Sequence, residues 1–503
     1  MDAVPTHLIS DRIAQVLGLS PDTVAVEFDG LTTNWRALAE AAQAIEAHLA
    51  AIGVPHDAAI GWVARNRPAG VAAFVALLLA GRPIAPLRPN QSLIGFRDEI
   101  QAQRLQAIIA DASDWALDGV VAAAAEAGSS GICVQGQTGF EVSLVPGLEQ
   151  VGAGPHREDT PGMVVERLSS GTTGPPKRIA VSVETLLPAL RSAEAAASSR
   201  GADRPLAVKT SPAIILSPFT HAGGIFGLLM ALYQARPIVL FERFEVARWA
   251  EAVRRHKPKS ASLVPAMIRM VLASDTPTEA LASLHAVHSG TAPLDPESQI
   301  AFETRFGLPV LIDYGAAEFI GGVAGWSLGD HRQFAEKKRG SVGRPRPDVH
   351  LRAIDQTTGE TLGAGLIGQL DIKSARFGAD WIRTMDLASL DEDGFLYIHG
   401  RVDDAINRGG FKVLPDEVAA ILRQFPGVGD VAVVGIPDDR LGQVPIAVIE
   451  PDGAGPDLDG LAAFARERLA AYQVPVRFQI VPALPRTTTL KVSRPELKAM
   501  LGL

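Results

Sequence analysis

The N-terminal half of the chain alternates between two hydrophobic periods. Residues 35–52 are rich in alanine and place apolar side chains at helical spacing, and Gly53 ends the pattern. Residues 59–63 form a short apolar run typical of a buried strand, residues 71–80 an apolar run of helical length, and residues 84–86 the start of another strand. Alternation of this kind predicts parallel sheets whose faces are covered by helices.

The C-terminal half of the chain changes its pattern twice. Two clusters of turn residues within residues 353–372, with short apolar runs between them, predict antiparallel strands in a small barrel-like layer. After Arg401 a compact segment shows both the helical and the strand spacing of apolar residues. It predicts helices at 415–424 and 458–471 and strands at 431–435 and 446–450. This order of elements is typical of a small α+β domain.

The change of pattern places a domain boundary near Asp403. A chain of 503 residues exceeds the size of one ordinary hydrophobic core. We therefore predict an α/β fold with a large N-terminal domain over residues 1–402 and a small α+β domain over residues 403–503. Residues 121–139 are rich in small side chains and lack a clear period, which predicts an irregular peripheral region.

Composition and charge exclude several classes of protein. Charged residues make up 20% of the chain and the net charge is −9, whereas a nucleic-acid-binding protein would show a basic stripe. Residues 1–10 lack the basic start of a signal peptide, and the longest apolar run is too short for an integral membrane segment. The single cysteine, Cys133, excludes an internal disulfide and fits a reducing compartment, so we predict a cytoplasmic protein.

The segment 169–177 carries the strongest chemical signal. It combines four hydroxyl side chains, two glycines and a closing lysine between two apolar runs, which predicts a loop joining two buried strands. Glycine lets backbone N–H groups converge on an anion, the hydroxyls donate further hydrogen bonds, and lysine adds a positive charge. The lysine spacing is not that of a Walker loop, and the segment taken alone is more typical of a polar surface turn. The candidate phosphate-binding residues are Ser169, Ser170, Gly171, Thr172, Thr173, Gly174 and Lys177.

This segment resembles the phosphate-binding signature of the adenylate-forming (ANL) superfamily, which includes acyl-CoA and aryl-CoA synthetases. Further motifs resemble those of the superfamily in the same order, namely an adenine loop at 289–294, a tyrosine–glutamate motif at 314–318, an aspartate motif at 384–386, a hinge at 400–404 and a lysine loop at 485–494. Several matches in one order are far more specific than any single match.

The resemblance implies an AMP-forming acid–thiol ligase that uses ATP, Mg²⁺ and coenzyme A. Such an enzyme converts a carboxylic acid into an acyl-adenylate and then transfers the acyl group to a thiol. The implied catalytic residues are Lys491, which would bridge carboxylate and phosphate oxygens, Glu318, which would also ligate Mg²⁺, and His221, which would gate the acid pocket. The other implied ATP-binding residues are Gly290, Thr291 and Ala292 of the adenine loop, Tyr314 and Gly315 at the adenine ring, Asp386 and Arg401 at the ribose, and Lys412 near the phosphate.

The resemblance also implies a hinge at Asp403. The small domain would turn about this residue between the two half-reactions and bring Gly409 and Gly410 towards the pantetheine arm of coenzyme A. A simple hairpin turn before Phe411 is compatible with the same two glycines.

Without the family pattern, each of these residues has a structural alternative. Glu318 would be an ordinary solvated carboxylate, Asp386 part of a turn, and Tyr314 a core residue. Lys491 would be one exposed lysine among many, and Arg401 would belong to a surface ion-pair cluster, where such pairs are worth under ~1 kcal/mol.

The substrate class follows from residues 214–232. Relatives that activate amino acids carry an aspartate in this region, and this chain has no carboxylate there, so an amino acid substrate is disfavoured. Apolar side chains such as Phe226 and Met230 predict an apolar or aromatic carboxylic acid, although a core helix would show the same pattern. His221 is equally consistent with a structural histidine.

Several positions depart from the family pattern. Arg178, Met385 and Leu490 stand where relatives carry glycine, Ala317 replaces a threonine, and Asn407 replaces a common lysine. A missing hydrogen bond to a charged group costs ~1.5–3 kcal/mol, which predicts a slow or specialised enzyme. Three functions stay open: an acid–CoA ligase, an adenylating enzyme that loads a carrier-protein thiol, and a catalytically weakened nucleotide-binding relative. The acid and the oligomeric state stay open as well, a homodimer being one alternative.

Overall fold

A computed structural model describes residues 7–168, 178–197, 205–315, 319, 321–378, 380–409, 411–487 and 490–502. The chain forms two compact units. The first unit comprises Met1–Ser262 and Ser274–His285, and the second comprises Leu263–Ala273 and Ala286–Leu503. The domain boundary near Asp403 lies inside the second unit and stays a prediction.

The helices of the first unit are α1 (His7–Leu19), α2 (Trp35–Ala51), α3 (Pro68–Ala80), α4 (Leu93–Gln103), α5 (Ala112–Trp115), α6 (Val120–Glu126), α7 (Val183–Ala197), α8 (Ala222–Tyr233) and α9 (Val246–His256), with a 3₁₀ turn at Thr278–Leu281. Its strands are β1 (Val24–Phe28), β2 (Leu31–Asn34), β3 (Ile60–Val63), β4 (Ile84–Leu87), β5 (Ala107–Asp111), β6 (Ser130–Gln135), β7 (Glu141–Leu144), β8 (Met163–Leu168), β9 (Arg178–Ser182), β10 (Ala213–Ile215), β11 (Ile238–Leu240) and β12 (Ser260–Ser262).

Two largely parallel sheets organise the first unit. In the larger one the described strands follow the order β7-β6-β5-β3-β4-β8-β9, with parallel pairs from β6 to β8 and an antiparallel strand at each edge. The smaller one has the order β10-β11-β1-β2. Helix α3 is buried along almost its whole length, because its apolar residues surround the helix instead of forming one stripe. These observations confirm the predicted α/β class and the predicted buried helix at 71–80.

The helices of the second unit are α10 (Pro265–Leu272), α11 (Pro296–Phe306), α12 (Leu328–Phe334), α13 (Pro415–Leu422), α14 (Leu458–Arg468) and α15 (Arg494–Met500), with a 3₁₀ turn at Ala375–Phe377. Its strands are β13 (Ala286–Ser289), β14 (Val310–Tyr314), β15 (Ala324–Gly325), β16 (Arg344–Pro345), β17 (Val349–Ile354), β18 (Gly368–Ser374), β19 (Ile382–Leu390), β20 (Leu396–Arg401), β21 (Ile406–Arg408), β22 (Phe411–Val413), β23 (Val428–Asp438), β24 (Gly442–Pro451) and β25 (Arg477–Ile480).

The second unit contains the predicted antiparallel layer and the predicted α+β segment. Strands β17 to β20 pair in sequence order as an antiparallel sheet. Strands β23 and β24 pair over nearly their full length, and α13 and α14 supply buried side chains to the core on this sheet. Strands β13 and β14 form a parallel pair, so their carboxyl ends meet at one edge, which is where ligands bind in open α/β sheets.

The prediction of an irregular region at residues 121–139 was wrong. Residues 120–126 form α6, and residues 130–135 form β6, which pairs in parallel with β5. Val120, Ala123 and Ala124 of α6 are buried, and Ile132 and Val134 of β6 are fully buried. Small residues hid both periods because they lower the contrast between apolar and polar positions.

Within the described residues, no helix is both long and apolar enough to cross a membrane.

Candidate functional site

Four predicted site residues lie together in the second unit and form the Asp386 cluster, which consists of Tyr314, Asp386, Arg401 and Lys491. Asp386 lies on β19 directly opposite Arg401 on β20. The Tyr314 hydroxyl at the end of β14 donates to Asp386 Oδ2 at 2.5 Å, and Arg401 Nη1 lies 3.6 Å from Asp386 Oδ1. The Asp386 side chain is 11% exposed, and its two carboxylate oxygens face Tyr314 and Arg401.

The backbone on either side of Asp386 fixes its direction. The Asp386 N–H donates to Thr384 Oγ1 at 3.1 Å, and that hydroxyl donates to the Leu370 carbonyl at 2.9 Å. Thr384 thereby ties β19 to β18. Because Asp386 lies within β19 and is buried, it is not part of a turn, as the structural alternative expected.

Arg401 is oriented by Asp403, the predicted hinge residue. Arg401 Nε donates to Asp403 Oδ1 at 2.8 Å and Nη2 donates to Oδ2 at 3.0 Å, which is a bidentate pair. A guanidinium held in two hydrogen bonds by one carboxylate keeps Nη1 facing Asp386. The candidate ribose contact therefore ends β20, and the candidate hinge lies in the turn that follows it.

Lys491 brings an ammonium group to the cluster without a partner of its own. Within the described residues the Lys491 side chain makes no hydrogen bond or ion pair. Burial lowers the pKa of Lys491, while the nearby Asp386 carboxylate raises it and the Arg401 guanidinium lowers it. A buried cation with incomplete compensation is poised to accept an anionic ligand.

The lysine loop around Lys491 is a tight turn. The Thr487 N–H donates to the Lys491 carbonyl at 2.7 Å, and the Leu490 N–H donates to the Thr487 carbonyl at 2.9 Å. Leu490 adopts the left-handed conformation with φ +61, at the position where relatives carry glycine. A non-glycine residue in this conformation stores strain of a kind that concentrates at functional sites.

The predicted adenine loop follows β13 at the edge where β13 and β14 end. A side chain at Gly290 would place its Cβ 2.8 Å from the Asp313 carbonyl, so only glycine fits there. Thr291 has φ +71, which is unusual for a β-branched residue. Ala292 continues this loop, and Gly315 directly follows Tyr314. The structure therefore brings the adenine loop and Tyr314 to one sheet edge.

His221 lies in the first unit, at the position that precedes α8. Its backbone N–H donates to the Pro218 carbonyl at 3.0 Å, and its carbonyl accepts from the N–H of Gly224 at 3.0 Å. A Cβ at Gly224 would lie 2.1 Å from the Pro218 carbonyl, so this turn requires glycine. The tight turn determines where the imidazole leaves the backbone.

Asn66 holds the same turn in place and was missed by the sequence analysis. Its Nδ2 donates to the carbonyls of Ser217 and Phe241 at 3.0 and 3.1 Å, and its Oδ1 accepts from the Phe219 N–H at 2.8 Å. The signal that would have found Asn66 is its place as a polar residue just beyond the buried strand β3.

Helix α8 has one face that is not fully buried. Ile225, Leu228 and Leu229 belong to the core of the first unit. Phe226 and Met230, one turn apart, are half-buried on the other face. The apolar residues of this helix therefore divide into core positions and a partly accessible pair.

A second charged network, the Arg178 cluster, consists of Arg88, Glu99, Arg157, Asp159, Glu166 and Arg178 in the first unit. Arg178 begins β9 and donates to Glu166 at 2.9 Å, to Glu99 at 2.7 Å and to the Pro86 carbonyl at 3.0 Å. Arg157 pairs with Glu166 at 2.5 Å and with Asp159 at 2.6 Å, and Arg88 pairs with Glu99 at 3.2 Å. Arg178, which stands where relatives carry glycine, is thus a structural residue that joins β8, β9 and α4.

Several predicted residues are not tested by this geometry. The phosphate loop at 169–177, together with Ala317, Glu318 and Gly410, lies outside the described residues. Gly409 lies at the turn between β21 and β22. Lys412 Nζ donates to Gln356 Oε1 at 2.6 Å, so its described contact is with the turn after β17 and not with the Asp386 cluster.

No group of three or more His, Cys, Asp or Glu side chains in the described part of the chain is arranged to hold a metal ion. The expected Mg²⁺ ligand, Glu318, lies outside that part, so its role stays a prediction.

Comparison with known families decides what this site belongs to. The profile of AMP-binding enzymes matches residues 14–377, and the profile of the AMP-binding enzyme C-terminal domain matches residues 417–491. The chain belongs to the AMP-binding enzyme family. The resemblance drawn from the sequence motifs is confirmed.

Individual members of the AMP-binding family differ in how much of the chain they match. The 4-coumarate–CoA ligase-like 9 protein of Oryza sativa subsp. japonica is 31% identical over 353 residues, which cover 66% of this chain and 62% of the rice protein. The chain thus spans less than two-thirds of that relative. Indoleacetate–CoA ligase of Aromatoleum aromaticum is 28% identical over 534 residues, which cover 98% of both chains.

A solved structure supports the fold over nearly the whole chain. ATP-bound MatB from Rhodopseudomonas palustris superposes with a TM-score of 0.81 at 22% identity, covering 98% of this chain and 99% of MatB. At this identity the likeness shows the AMP-binding fold and leaves the substrate to be proposed from the chain's own residues.

Proposed function

We propose that this AMP-binding enzyme activates an apolar or aromatic carboxylic acid with ATP and transfers the acyl group to coenzyme A. In the first step a carboxylate oxygen attacks the α-phosphorus of ATP, the bond to pyrophosphate breaks, and an acyl-adenylate forms. In the second step the thiol sulfur attacks the acyl carbon, the bond to AMP breaks, and the thiol proton leaves to solvent.

The observation that carries this proposal is the ammonium of Lys491, which lies near Asp386 and Arg401 and has no hydrogen-bond or ion-pair partner among the described residues. Adenylate formation brings two anions together, the carboxylate and the triphosphate, and builds further negative charge at the α-phosphorus. A preorganised cation in a partly desolvated place stabilises that charge more than a cation in water would. Lys491 has the position and the free donors for this role.

Asp386 and Tyr314 fit the nucleoside part of ATP. A buried carboxylate accepts hydrogen bonds from the two ribose hydroxyls, and such charge-assisted bonds are about twice as strong as neutral ones. Tyr314, held by its bond to Asp386, lies at the sheet edge where the adenine loop begins, and its ring would stack on adenine. Arg401, held by Asp403, adds a donor to the ribose oxygens.

The triphosphate and the metal would be bound by residues that belong to the family motifs. The loop at 169–177 supplies N–H groups, hydroxyls and Lys177, and Glu318 supplies a carboxylate that suits Mg²⁺. Bound Mg²⁺ would neutralise phosphate charge.

The second step requires that Lys491 leave and a thiol approach. We propose that residues 403–503 turn about Asp403 and bring Gly409 and Gly410, followed by Lys412, towards the pantetheine arm. The two half-reactions therefore use two different arrangements of residues 403–503.

The acid class rests on the first unit. Phe226 and Met230 give α8 a partly accessible apolar face, and His221 precedes the same helix. The relatives named for 4-coumarate and indoleacetate are named for aromatic acids. We therefore propose an aromatic or apolar acid whose ring or chain packs on this face. A cytoplasmic location and a homodimer are part of the same proposal.

Acid-dependent exchange of pyrophosphate into ATP tests the first step across a panel of aromatic, aliphatic and amino acids. Thioester formation with coenzyme A tests the second. We expect exchange and thioester formation with an aromatic or apolar acid. Exchange without consumption of coenzyme A would favour a carrier-protein acceptor instead. The absence of both activities would favour a nucleotide-binding protein without catalysis.

A further inference from the structure

Arg486 lies at the foot of the lysine loop and makes contacts in two directions. Its Nη2 donates to Asp430 Oδ2 at 2.8 Å and to Glu450 Oε2 at 3.1 Å. Its Nη1 donates to the Leu490 carbonyl at 3.4 Å. Arg486 also pairs with Val492 in a β-bridge that closes the loop. The Arg486 guanidinium therefore connects the sheet of β23 and β24 to the turn that carries Lys491.

Asp430 is the anchor for this guanidinium. The residue lies on β23, is 5% exposed, and accepts from its neighbour, the Val431 N–H, at 2.9 Å. Arg423 Nε donates to the same oxygen at 3.1 Å. The charges of Arg423, Arg486 and Arg269 outweigh burial and hold the pKa of Asp430 below its ordinary value. The anchor is therefore ionised at neutral pH.

Arg269 connects the anchor to a distant part of the sequence. It lies on α10, where its Nη1 donates to Asp295 Oδ2 at 3.3 Å, and its Nη2 lies 3.9 Å from Asp430 Oδ2. Asp295 caps α11 by accepting from the Ser298 N–H at 2.7 Å. Helix α10 lies before the predicted boundary near Asp403 and Asp430 lies after it. The ion pair thus spans the boundary about which the small domain is proposed to turn.

We propose that Arg486 is a positioning residue for Lys491, and that Arg269 acts through Asp430 to favour the arrangement in which Lys491 lies beside Asp386. Arg486 does not touch the reacting atoms. It holds the Leu490 carbonyl, and thereby the left-handed turn that directs the next side chain towards Asp386. This inference rests on the proposed function, because the position of Lys491 affects the rate only if Lys491 takes part in adenylate formation.

Strain at Leu490 explains why such a support is needed. A leucine with φ +61 stays in that conformation only when its surroundings hold it there. The bond from Arg486 and the bridge to Val492 are two such restraints. Without them the turn relaxes and the ammonium of Lys491 loses its direction.

The test measures the two half-reactions separately in Arg486→Ala, Arg486→Lys and Arg269→Ala. We expect Arg486→Ala to slow adenylate formation by roughly 10- to 100-fold, the range for one lost hydrogen bond to a charged group. The reaction of a supplied acyl-adenylate with coenzyme A should stay within about twofold of wild type, because the lysine loop is displaced in that step. The loss should appear in kcat for adenylation more than in the KM for the acid.

Arg486→Lys and Arg269→Ala should lose less of the adenylation rate than Arg486→Ala does. Arg486→Lys keeps the pair with Asp430 and should recover part of the adenylation rate. Arg269→Ala leaves Asp430 with two arginines, so the chain should stay folded, and adenylation should slow by a smaller factor of about 3, as expected for a half-exposed ion pair.

Arg352→Ala is the matched control. Arg352 is 30% exposed and pairs at 2.9 Å with the buried Asp371, whereas Arg269 is 30% exposed and pairs with the buried Asp430. The control removes an ion pair of the same exposure from the sheet of β17 and β18. It should leave the ratio of the two half-reactions unchanged.

Hydrogen exchange of the peptide that spans 485–494 supplies a readout that does not need activity. We expect faster exchange in Arg486→Ala than in wild type or Arg352→Ala. Equal loss of both half-reactions, or an unchanged ratio in Arg486→Ala, would overturn the positioning role. Wild type that shows no pyrophosphate exchange, with the peptide still loosened in Arg486→Ala, would overturn the proposed function and leave the positioning of the loop intact.

Discussion

The Arg178 cluster and the Asp386 cluster are both buried and charged, and they are built in opposite ways. In the Arg178 cluster each charged side chain has an opposite partner at 2.5–3.2 Å. In the Asp386 cluster the Lys491 ammonium has no such partner among the described residues, and burial lowers its pKa. The charges of the first cluster are paired with one another, whereas the second cluster keeps an ammonium group available for a ligand among the described residues.

The difference teaches how to separate structural charge from functional charge in this protein. In a complete network each buried charge is paired with an opposite charge, which offsets the cost of removing both from water. Such a network serves to join strands. An incomplete one keeps a desolvated cation beside a carboxylate, which is unfavourable for folding and useful for binding phosphate. Substitutions in the two clusters should therefore have opposite effects on stability and activity.

The largest expected effect on stability lies in the Arg178 cluster. Arg178→Ala leaves Glu99 and Glu166 buried with one arginine each, and the free energy of unfolding should fall by about 3 kcal/mol. Urea denaturation measures this change. The control is Arg36→Ala, which breaks the exposed pair with Asp22 and should leave stability nearly unchanged. Equal effects of the two variants would mean that the Arg178 cluster does not hold the strands together.

The next effect is on nucleotide binding, in the Asp386 cluster. Asp386→Ala removes the acceptor for the ribose hydroxyls, and ATP affinity should fall by roughly 10- to 100-fold. Titration calorimetry with ATP measures this change. Wild-type affinity in a folded Asp386→Ala variant would show that the carboxylate only connects β19 to Tyr314 and Arg401.

A pH dependence follows from the lowered pKa of Lys491. The folded state holds this proton less tightly than the unfolded chain, so the charged lysine is unfavourable in the fold. That penalty is fully present below the folded pKa and disappears as the pH rises through the folded pKa towards the ordinary value of 10.5. Lys491→Met should therefore be more stable than wild type at neutral pH, and the advantage should shrink as the pH rises.

Urea denaturation of wild type and Lys491→Met across this pH range measures the difference. Lys412→Met is the control, because Lys412 is exposed and donates to Gln356 Oε1, and its substitution should give no such trend. A Lys491→Met variant that is less stable than wild type at neutral pH would show that the ammonium is satisfied in the fold.

The smallest expected effect is at Leu490. Glycine at this position releases left-handed strain of ~1–2 kcal/mol but increases the entropy of the unfolded chain by a similar amount. Leu490→Gly should therefore change the free energy of unfolding by under ~1 kcal/mol and retain adenylation. A large loss of activity with unchanged stability would show that the leucine side chain itself orders the turn.

The sequence predicted the parts of this molecule that depend on local pattern and on motif order. The α/β class, the buried helix at 71–80, the antiparallel layer and the elements after Arg401 all follow from hydrophobic period. The family followed from six motifs, and the structure places Tyr314, Asp386, Arg401 and Lys491 together. The domain boundary, Glu318 and the phosphate loop stay predictions.

Long-range pairing could not be predicted. Nothing local to Asp430 indicates that arginines 7, 56 and 161 positions away converge on it. Asn66 has no motif, because its role depends on a turn that lies 151 positions later. The region 121–139 was misjudged because small side chains hide a period that tertiary packing still uses.

The most direct test of the account is Lys491→Ala measured in both half-reactions. We expect acid-dependent pyrophosphate exchange to fall by about 100- to 1,000-fold, the effect of removing one preorganised donor to a developing charge. Thioester formation from a supplied acyl-adenylate should continue at a rate close to wild type. Loss of both half-reactions to the same extent in a folded variant, or exchange that persists at the wild-type rate, would contradict the assignment of Lys491 as the cation of adenylate formation.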